Sequence, residues 1–446
     1  MTYPEALSYL GEARRFGMKL GLDPMQELAA ILGQPQKGLR FIHLAGTNGK
    51  GSTAAFCESC LRAAGCRVGL YTSPHLVSVR ERIQINRVPI SKNDFARGIE
   101  IVREATARLE NYEATFFEIV TAVALWYFAR EKVDWVVWET GLGGRLDATN
   151  IVQPEACIIT NIGSDHQQYL GESLREIAME KAGIIKSGVP VISAVELDET
   201  AEVIRERAEN EGSPLMLIRR DTRLGDLGLH GNKQLARIDG HDYALGLIGP
   251  HQIHNAACAV EVLRLLQGKG SLELTEEALA SGLESTVWPG RFEVLSEKPL
   301  IVLDGAHNPA GVVTLVETWR GFLSTRRGRS ESQPAHLVFA SVADKEIDGM
   351  ARLLAPLAQR VSLVRLANER TAEPTALATH FSDLPCALYD SVEALWRDLA
   401  GSMDDIPILI TGSLFLVGEI LAQRQNHAEE YRLNERLESL TPSSRF

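Results

Sequence analysis

The chain has 446 residues, of which 45% are hydrophobic and 23% charged, a balance typical of a globular protein with two or three domains. Its 46 basic and 58 acidic residues give a formal net charge of −12, which disfavours binding to nucleic acid or to an anionic membrane. The N-terminal segment carries charges throughout, and the most apolar helical stretch, 119–129, is too short to span a bilayer. We therefore expect a cytoplasmic protein without nucleic-acid or membrane partners.

Short apolar runs alternate with helical patterns over the first part of the chain. The predicted strands are GLRFIHLAG, RVGLYTS, VDWVVWET, EACIITNIGS and VPVISA, and the predicted helices are STAAFCESCLRAAG, FEIVTAVALWYFAREK and SLREIAMEKAGIIK. This alternation predicts βαβ units and a mainly parallel sheet covered on both faces. From about 213 to 250, short polar pieces predict an antiparallel excursion, after which PHQIHNAACAVEVLRLL returns to a helix.

A break in the pattern divides the chain into two predicted domains. Pro289 and Gly290 interrupt a helical run, and a second, shorter series of alternating strands and helices follows them. We expect a P-loop-type, mainly parallel sheet domain over 1–288 and a smaller Rossmann-like α/β domain over 289–446. A cleft between the two would be the expected place for a ligand.

The stretch LAGTNGKGST, Leu44 to Thr53, resembles a phosphate-binding loop with two departures from the usual pattern. Leu44 stands where the first glycine belongs, and Gly51 separates Lys50 from Ser52. The stretch follows a predicted strand and opens a helix, so its backbone N–H groups could bind phosphates, with Lys50 at the β/γ-phosphates and Ser52 or Thr53 at Mg²⁺. The alternative is a glycine-rich turn with an exposed lysine.

Polar groups follow other predicted strands at the same edge of the sheet. Glu139 ends an apolar strand, where ATPases often place a carboxylate that holds Mg²⁺. The stretches 72–75, 141–150 and 164–166 add hydroxyls, histidines and a glycine-rich loop. Because ligands bind beyond the carboxyl ends of parallel strands, the convergence favours a nucleotide–metal site. A solvated strand end is the alternative at each position.

The second domain shows the same arrangement. Asp304, His307 and Asn308 come directly after one predicted strand, Ser413 follows another, and Arg291 lies in the hinge. A polar cluster facing a phosphate site predicts a reaction in the cleft. Ordinary strand-end loops are the alternative.

Cys57 and Cys60 form a C-x-x-C pair that invites a zinc or redox interpretation. Both fall on the helix after the glycine-rich loop, and no second pair or nearby histidine completes a tetrahedral set. We expect them to be small apolar residues on a buried helix face.

Taken in order, AGTNGKGST, GLYTSPHL, ETGLGGRLDATN, SDHQQYLG, EKAGIIK, HNAACA, WPGRFE and LDGAHNP closely resemble the folylpolyglutamate synthase/dihydrofolate synthase family of the Mur ligase superfamily. The resemblance runs from about residue 5 to 420. It implies ATP-dependent ligation of L-glutamate to dihydropteroate or a reduced folate through an acyl phosphate. In that family the extra glycine after the lysine is normal.

The resemblance also assigns roles to matching positions. The implied phosphate and ATP contacts are Gly46, Thr47, Asn48, Gly49, Lys50, Gly51, Ser52, Thr53, Asn255, Arg291 and Asp304. The implied ligands of two Mg²⁺ ions are Ser73, Glu139, His166 and Lys181, the last as a carbamate. The implied substrate contacts are Phe116 and Phe117 for the pterin, and His307, Asn308 and Ser413 for glutamate. Lys50, Arg291, Asp304 and His307 are the implied catalytic residues.

Several alternatives stay open at this point. The enzyme could use both acceptors, as many bacterial relatives do, or act only as a folylpolyglutamate synthase. A peptidoglycan-type Mur ligase would carry an added N-terminal domain, for which the 45 residues before Gly46 are too few. A nucleotide-binding scaffold without ligase activity is the rival of another class. We expect a monomer, by analogy with the relatives.

Overall fold

The computed structural model describes residues 1–13, 21–109, 112–164, 167–326, 328–330, 332–401, 405–425, 427, 430 and 431. The first sheet contains β1 (Phe41–Ala45), β2 (Val68–Tyr71), β3 (Ile83–Ile85), β4 (Val88–Pro89), β5 (Trp135–Glu139), β6 (Ala156–Ile159), β7 (Val191–Ser193) and β8 (Leu215–Leu217). The helices of this part are α1 (Tyr3–Ala13), α2 (Asp23–Ile31), α3 (Lys50–Ala63), α4 (Lys92–Thr106), α5 (Phe116–Glu131), α6 (Gln167–Leu170), α7 (Leu174–Ala182), α8 (Asp198–Asn210), α9 (Ile218–Asp221), α10 (His251–Gly268) and α11 (Glu276–Ser285).

The strand order of the first sheet is β4-β3-β2-β5-β1-β6-β7-β8. Strands β2, β5, β1, β6, β7 and β8 are parallel, and β3 and β4 add an antiparallel edge. Helices α1, α2, α4 and α5 pack on one face and α3, α10 and α11 on the other. Every residue of β1 and β5 is buried, as expected of parallel strands covered on both faces. The predicted parallel sheet is confirmed.

Two helices show how local sequence sets their ends. Thr115 and Glu118 form a capping box that starts α5. The sequence of α5 is apolar on most sides of the helix, which suits its burial against the sheet. The helix predicted over SLREIAMEKAGIIK ends earlier than expected, at Ala182. Gly183 follows it and packs against Arg145, so the apolar residues after it line a buried turn.

The predicted antiparallel excursion is present as a separate small sheet, but its predicted start at about 213 is wrong, because β8 is a parallel strand of the first sheet. The small sheet contains β9 (Leu224–His230), β10 (Lys233–Ile238) and β11 (His241–Leu245), in the order β11-β10-β9. Its buried side chains join the apolar cluster of α10 and α11. It therefore extends the core beneath the phosphate-loop helix α3.

A third sheet begins after a linker over 286–292. Its strands are β12 (Glu293–Glu297), β13 (Leu300–Leu303), β14 (Ala335–Phe339), β15 (Ala358–Val364), β16 (Cys386–Tyr389) and β17 (Ile408–Thr411). Its helices are α12 (Pro309–Ser324), α13 (Ile347–Leu354), α14 (Pro374–Ala378), α15 (Val392–Gly401) and α16 (Leu414–Arg424). The order is β12-β13-β17-β14-β15-β16, with only β12 antiparallel to its neighbour among these strands. The predicted second α/β unit is confirmed.

The sequence patterns missed four edge elements: the hairpin of β3 and β4, β8, β12 and β16. Strand β12 has three polar residues in five, and β16 is a run of four apolar residues that is largely exposed, so neither resembles the longer buried runs of the central strands. Within the described ranges, no helix is long and apolar enough to cross a membrane.

Candidate functional site

The glycine-rich loop joins β1 to α3 and is shaped by two close approaches. Gly46 and Gly49 have φ angles of +149° and +86°, which side chains rarely adopt. A Cβ atom at Gly46 would collide with Oγ1 of Thr160, and one at Gly49 would lie 2.5 Å from Oδ1 of Asn255. Both glycines are therefore required for conformation and for space, as in a phosphate-binding loop.

The segment after β6 holds this loop in place. The N–H of Thr47 donates to the carbonyl of Asn161 over 2.9 Å, and the N–H of Asn48 donates to Oδ1 of Asn161 over 2.7 Å. Thr160 Oγ1 donates to the carbonyl of Asn48 over 2.7 Å, and Thr47 Oγ1 to that of Gly163 over 3.1 Å. Sequence reasoning missed Thr160 and Asn161, although both stand at a strand end.

Two lysines converge on the carbonyl of Gly46. Lys50 Nζ donates to it over 2.9 Å and to the carbonyl of Thr47 over 3.2 Å, while Lys181 Nζ donates to it over 2.9 Å. Lys181 is only 4% exposed. Two ammonium groups beside backbone N–H groups at the start of a helix make a positive site within an acidic protein, which suits a polyphosphate.

The first turn of α3 buries two hydroxyl groups. Ser52 is 3% exposed and Thr53 is fully buried. Among the described residues, Oγ1 of Thr53 has no hydrogen-bond partner. A buried hydroxyl without a partner is a group that a bound ligand or cation could satisfy.

Glu139 and Ser73 are brought together because β2, β5 and β1 are adjacent in the sheet. The N–H of Ser73 donates to Oε2 of Glu139 over 3.0 Å. Glu139 is 2% exposed, and burial raises its pKa to about 7 against the opposing charges of Lys50 and Arg291. A desolvated carboxylate with too little compensating positive charge fits a divalent cation.

The remaining predicted metal ligands are placed less closely. Lys181 donates to the carbonyl of Gly46, at the same edge of the sheet as Ser73. His166 lies outside the described residues. Across the described residues, no group of three or more His, Cys, Asp or Glu side chains is placed to hold a metal ion.

The loop after β13 orders Asp304 and His307. Asp304 accepts from the N–H groups of Phe292 and Ala306, each over 2.8 Å. Burial raises the pKa of Asp304, and the charge of Arg291 opposes that rise. His307 is held by a 2.8 Å hydrogen bond between Nδ1 and the carbonyl of Gly305.

Asn308 and Ser413 both begin helices. Oδ1 of Asn308 accepts from the N–H of Gly311 over 2.7 Å at the start of α12, and Oγ of Ser413 accepts from the N–H of Phe415 over 3.1 Å at the start of α16. Because β13 and β17 are paired, the two helix N-termini are neighbours. Adjacent helix N-termini favour an anionic ligand such as a carboxylate.

Arg291 lies in the linker beside Gly305, where a Cβ atom would be 2.8 Å from Nη1 of the arginine. Its positive charge opposes the rise in pKa that burial produces at Glu139 and at Asp304. Asn255 lies against Gly49 and donates to Oε1 of Gln252 over 2.9 Å. Asn255 thus lies at the phosphate loop, and Arg291 lies beside the loop after β13.

The two predicted pterin contacts have different surroundings. Phe116 is 8% exposed, and the guanidinium carbon of Arg82 lies 5.2 Å from its ring centroid. Phe117 is less buried, and its ring packs over Gly141, where a Cβ atom would lie 2.5 Å from Cζ. Both rings contribute to the apolar cluster of α5.

Other residues noted in the sequence have structural roles. Asp147 accepts from the N–H groups of Gly141 and Leu142 over 3.0 and 2.8 Å, which orders the glycine-rich loop after β5. Arg145 is paired with Glu180 over 2.7 Å. The cysteines of the C-x-x-C pair are fully buried on α3, and burial raises the pKa of both thiols, as expected of apolar fillers.

Comparison with known proteins gives consistent matches along the chain. Residues 44–263 match the Mur ligase middle domain, and residues 290–414 match the Mur ligase glutamate ligase domain. The chain is 37% identical to the dihydrofolate synthase/folylpolyglutamate synthase of Bacillus subtilis, over 94% of this chain and 98% of the relative.

Solved structures agree with these matches. Folylpolyglutamate synthase from Thermotoga maritima is 33% identical with a TM-score of 0.84, over 96% of this chain and 99% of that one. An Escherichia coli protein solved in complex with DHPP and ADP is 30% identical with a TM-score of 0.83, over 96% of this chain and 98% of that one.

Proposed function

The chain belongs to the folylpolyglutamate synthase/dihydrofolate synthase family, and we propose that it ligates L-glutamate to dihydropteroate and to reduced folates with cleavage of ATP to ADP and phosphate. The observation that carries this proposal is the phosphate loop, where Lys50 and Lys181 both donate to the carbonyl of Gly46. Arg291 lies beside Gly305 in the polar loop of the second part, since a Cβ atom at Gly305 would be 2.8 Å from its Nη1. The similar Escherichia coli structure with DHPP and ADP supports the same pairing of substrates.

The reaction begins with activation of the acceptor carboxylate. One carboxylate oxygen attacks the γ-phosphorus of ATP, the bond to the ADP oxygen breaks, and an acyl phosphate forms. Lys50 neutralises charge on the transferring group, and the backbone N–H groups of 46–52 hold the phosphates. We propose Asn255, Arg291 and Asp304 as the other ATP contacts.

The second step forms the amide bond. The glutamate amine attacks the acyl carbon, the bond from carbon to the phosphate oxygen breaks, and phosphate leaves with the electron pair and takes up the proton that the amine loses. The helix N-termini at Asn308 and Ser413 suit the carboxylates of glutamate, and His307 lies on the same loop as Asn308. Exclusion of water from the cleft protects the acyl phosphate from hydrolysis.

The buried carboxylate of Glu139 fits Mg²⁺, and Ser73, Glu139, His166 and a carbamylated Lys181 are the proposed ligands of two ions. Mg²⁺ would supply further charge neutralisation at the phosphates. The amine of Lys181 is buried beside the phosphate loop, and a carbamate would change it from a positive into a second negative group, leaving Lys50 as the positive side chain at the phosphates. Phe116 and Phe117 are the proposed pterin contacts, since flat aromatic rings suit a flat heterocycle.

We further propose that the two functional domains are 1–288 and 289–446, and that the protein acts as a cytoplasmic monomer without nucleic-acid or membrane partners. The match of 290–414 to the glutamate ligase domain and the linker over 286–292 support the boundary. The net charge of −12 supports the absence of polyanionic partners.

Product analysis tests the proposal. The purified protein is incubated with ATP, Mg²⁺ and L-glutamate, and with dihydropteroate or tetrahydrofolate, and the products are examined by mass spectrometry. We expect one added glutamyl residue on dihydropteroate and one or more on tetrahydrofolate. Addition to tetrahydrofolate alone would reduce the activity to folylpolyglutamate synthase. Addition to neither, with the nucleotide still bound, would favour a non-ligating scaffold.

A further inference from the structure

The linker between the two parts of the chain contacts the phosphate loop directly. Trp288 lies against Gly51 in the first turn of α3, and a Cβ atom at Gly51 would lie 2.8 Å from Nε1 and 3.1 Å from Cε2 of the indole. The φ angle of Gly51 is not in the left-handed region, unlike those of Gly46 and Gly49. Glycine is therefore needed at 51 for space alone, and Trp288 is what occupies that space.

The indole of Trp288 is itself held from the other side. Arg87 lies in the turn between β3 and β4, and its guanidinium carbon is 4.9 Å from the centroid of the Trp288 ring. Nη2 of Arg87 donates to the carbonyl of Val287 over 2.9 Å. A cation over an indole face together with a backbone hydrogen bond fixes both the ring and the chain that carries it.

The turn that begins at Trp288 also carries Arg291. The N–H of Arg291 donates to the carbonyl of Trp288 over 3.3 Å, so the tryptophan and the arginine belong to one turn. The same turn places Nη1 of Arg291 beside Gly305 in the loop that carries Asp304, 2.8 Å from where a Cβ atom of residue 305 would lie. A shift of the indole would consequently displace both the first turn of α3 and the turn that positions Arg291.

We propose that Trp288 is a positioning residue whose indole packs on the first turn of α3 and so fixes the phosphate loop relative to the linker. Residue 51 is a glycine because a side chain there would collide with the indole. The inference rests on the proposed function, since it takes Gly46–Ser52 as the ATP site. It explains the departure of GTNGKGS from the usual loop pattern by a tertiary contact. Nucleotide affinity should therefore depend on how the linker packs against the phosphate loop.

A steric rescue tests this contact. Binding of AMPPCP in the presence of Mg²⁺ is measured by calorimetry for the wild type, Gly51→Ala, Trp288→Leu and the double variant, with near-ultraviolet circular dichroism as the check on folding. The added methyl group of Gly51→Ala overpacks the indole and should weaken binding roughly tenfold or more. Leucine removes the indole edge, so the double variant should bind within about threefold of Trp288→Leu alone, far short of the product of the two effects.

Gly268→Ala is the matched control, because a Cβ atom at Gly268 meets nothing within 4 Å. It should leave AMPPCP binding unchanged and add no coupling to Trp288→Leu. Trp288→Phe, whose smaller ring also makes room for the methyl group, gives a second pairing if the leucine variant does not fold. Multiplicative effects in the Gly51 and Trp288 pair would overturn the inference while leaving the proposed function intact. Failure of the wild type to bind AMPPCP would overturn both.

Discussion

The polar groups of the candidate site lie on two walls, the strand-end loops of the first sheet and those of the third sheet, and the two walls hold these groups in different ways. On the first wall, Lys50, Lys181 and Glu139 contact backbone atoms of strand-end loops, and Glu139 is buried with a raised pKa. On the second wall, Asn308 and Ser413 use their side chains to begin helices. Burial of the Glu139 carboxylate, like that of Asp304 on the second wall, is unfavourable unless a ligand relieves it, whereas the side chains of Asn308 and Ser413 stabilise the fold as helix caps. Substitutions at Lys50 and Glu139 should therefore mainly lower activity, whereas a substitution at Asn308 should mainly lower stability.

The largest expected effect is on the first wall, at Lys50. Lys50→Ala removes the charge beside the phosphates, and kcat/KM for ligation should fall about 10³-fold, within the range for such electrostatic groups. The fold should be retained because, among the described residues, the ammonium group donates only to two loop carbonyls. Exposed Lys269 offers a control, and Lys269→Ala should have near-normal kinetics. A Lys50→Ala enzyme of near-normal rate would remove the phosphate role.

Glu139→Gln should lower kcat/KM by roughly 10²-fold and raise the Mg²⁺ concentration needed for half-maximal rate, because a neutral amide is a weaker ligand for Mg²⁺. The measurement is a Mg²⁺ titration of the initial rate. Glu277→Gln, on the exposed start of α11, is the control. An unchanged Mg²⁺ titration would take Glu139 out of the metal site.

The same residue predicts a pH dependence of stability without Mg²⁺. The folded pKa of Glu139, about 7, lies above its ordinary value of 4.5, so the folded protein holds a proton that the unfolded chain releases. This contribution to stability is present below pH 4.5 and is lost as the pH rises to about 7. Thermal unfolding should show wild type and Glu139→Gln alike at pH 5, with the variant a few degrees more stable at pH 8.

Mg²⁺ should remove that difference by stabilising the wild type at pH 8. The control is the same pair of melting curves recorded with the metal added. Equal melting temperatures at both pH values in metal-free buffer would contradict the burial of an unbalanced carboxylate.

The smallest expected effect is on the second wall, at Asn308. Asn308→Ala removes the N-cap of α12 and should cost about 1 kcal/mol of stability, whereas Asn308→Ser keeps a capping oxygen and should cost little. Urea unfolding measures the stability, and the KM for glutamate is measured alongside. A raised KM in both variants indicates a glutamate contact, and a raised KM in neither leaves Asn308 as a cap only. Equal stability of wild type and Asn308→Ala would contradict the cap.

The buried centre of the fold was predictable because its signals are local. The strands β1 and β5 and the long helices α5 and α10 are rich in apolar residues, as their burial on all sides requires. The edges were not predictable by the same means. Strand β16 is mostly exposed and β12 is half polar, so their place in the sheet depends on the neighbours rather than on their own pattern.

The candidate site divides along the same line. The loop at Lys50 and the carboxylate of Glu139 could be found from their positions after apolar strands, and the sheet order brings Ser73 to Glu139. Asn161 and Trp288 could not be found in that way, because each acts through a contact between segments more than 100 residues apart. The role of Lys181 came from family resemblance alone, since a lysine in a helical pattern gives no sign of burial.

The most direct test of the central claim, activation of a carboxylate at the phosphate loop before glutamate attacks, is the fate of the carboxylate oxygens. Dihydropteroate labelled with ¹⁸O in both carboxylate oxygens is converted with ATP, Mg²⁺ and L-glutamate, and the released phosphate is examined by mass spectrometry. The acyl phosphate mechanism predicts one ¹⁸O atom in each phosphate molecule. Unlabelled phosphate from a reaction that still forms the glutamyl product would contradict it.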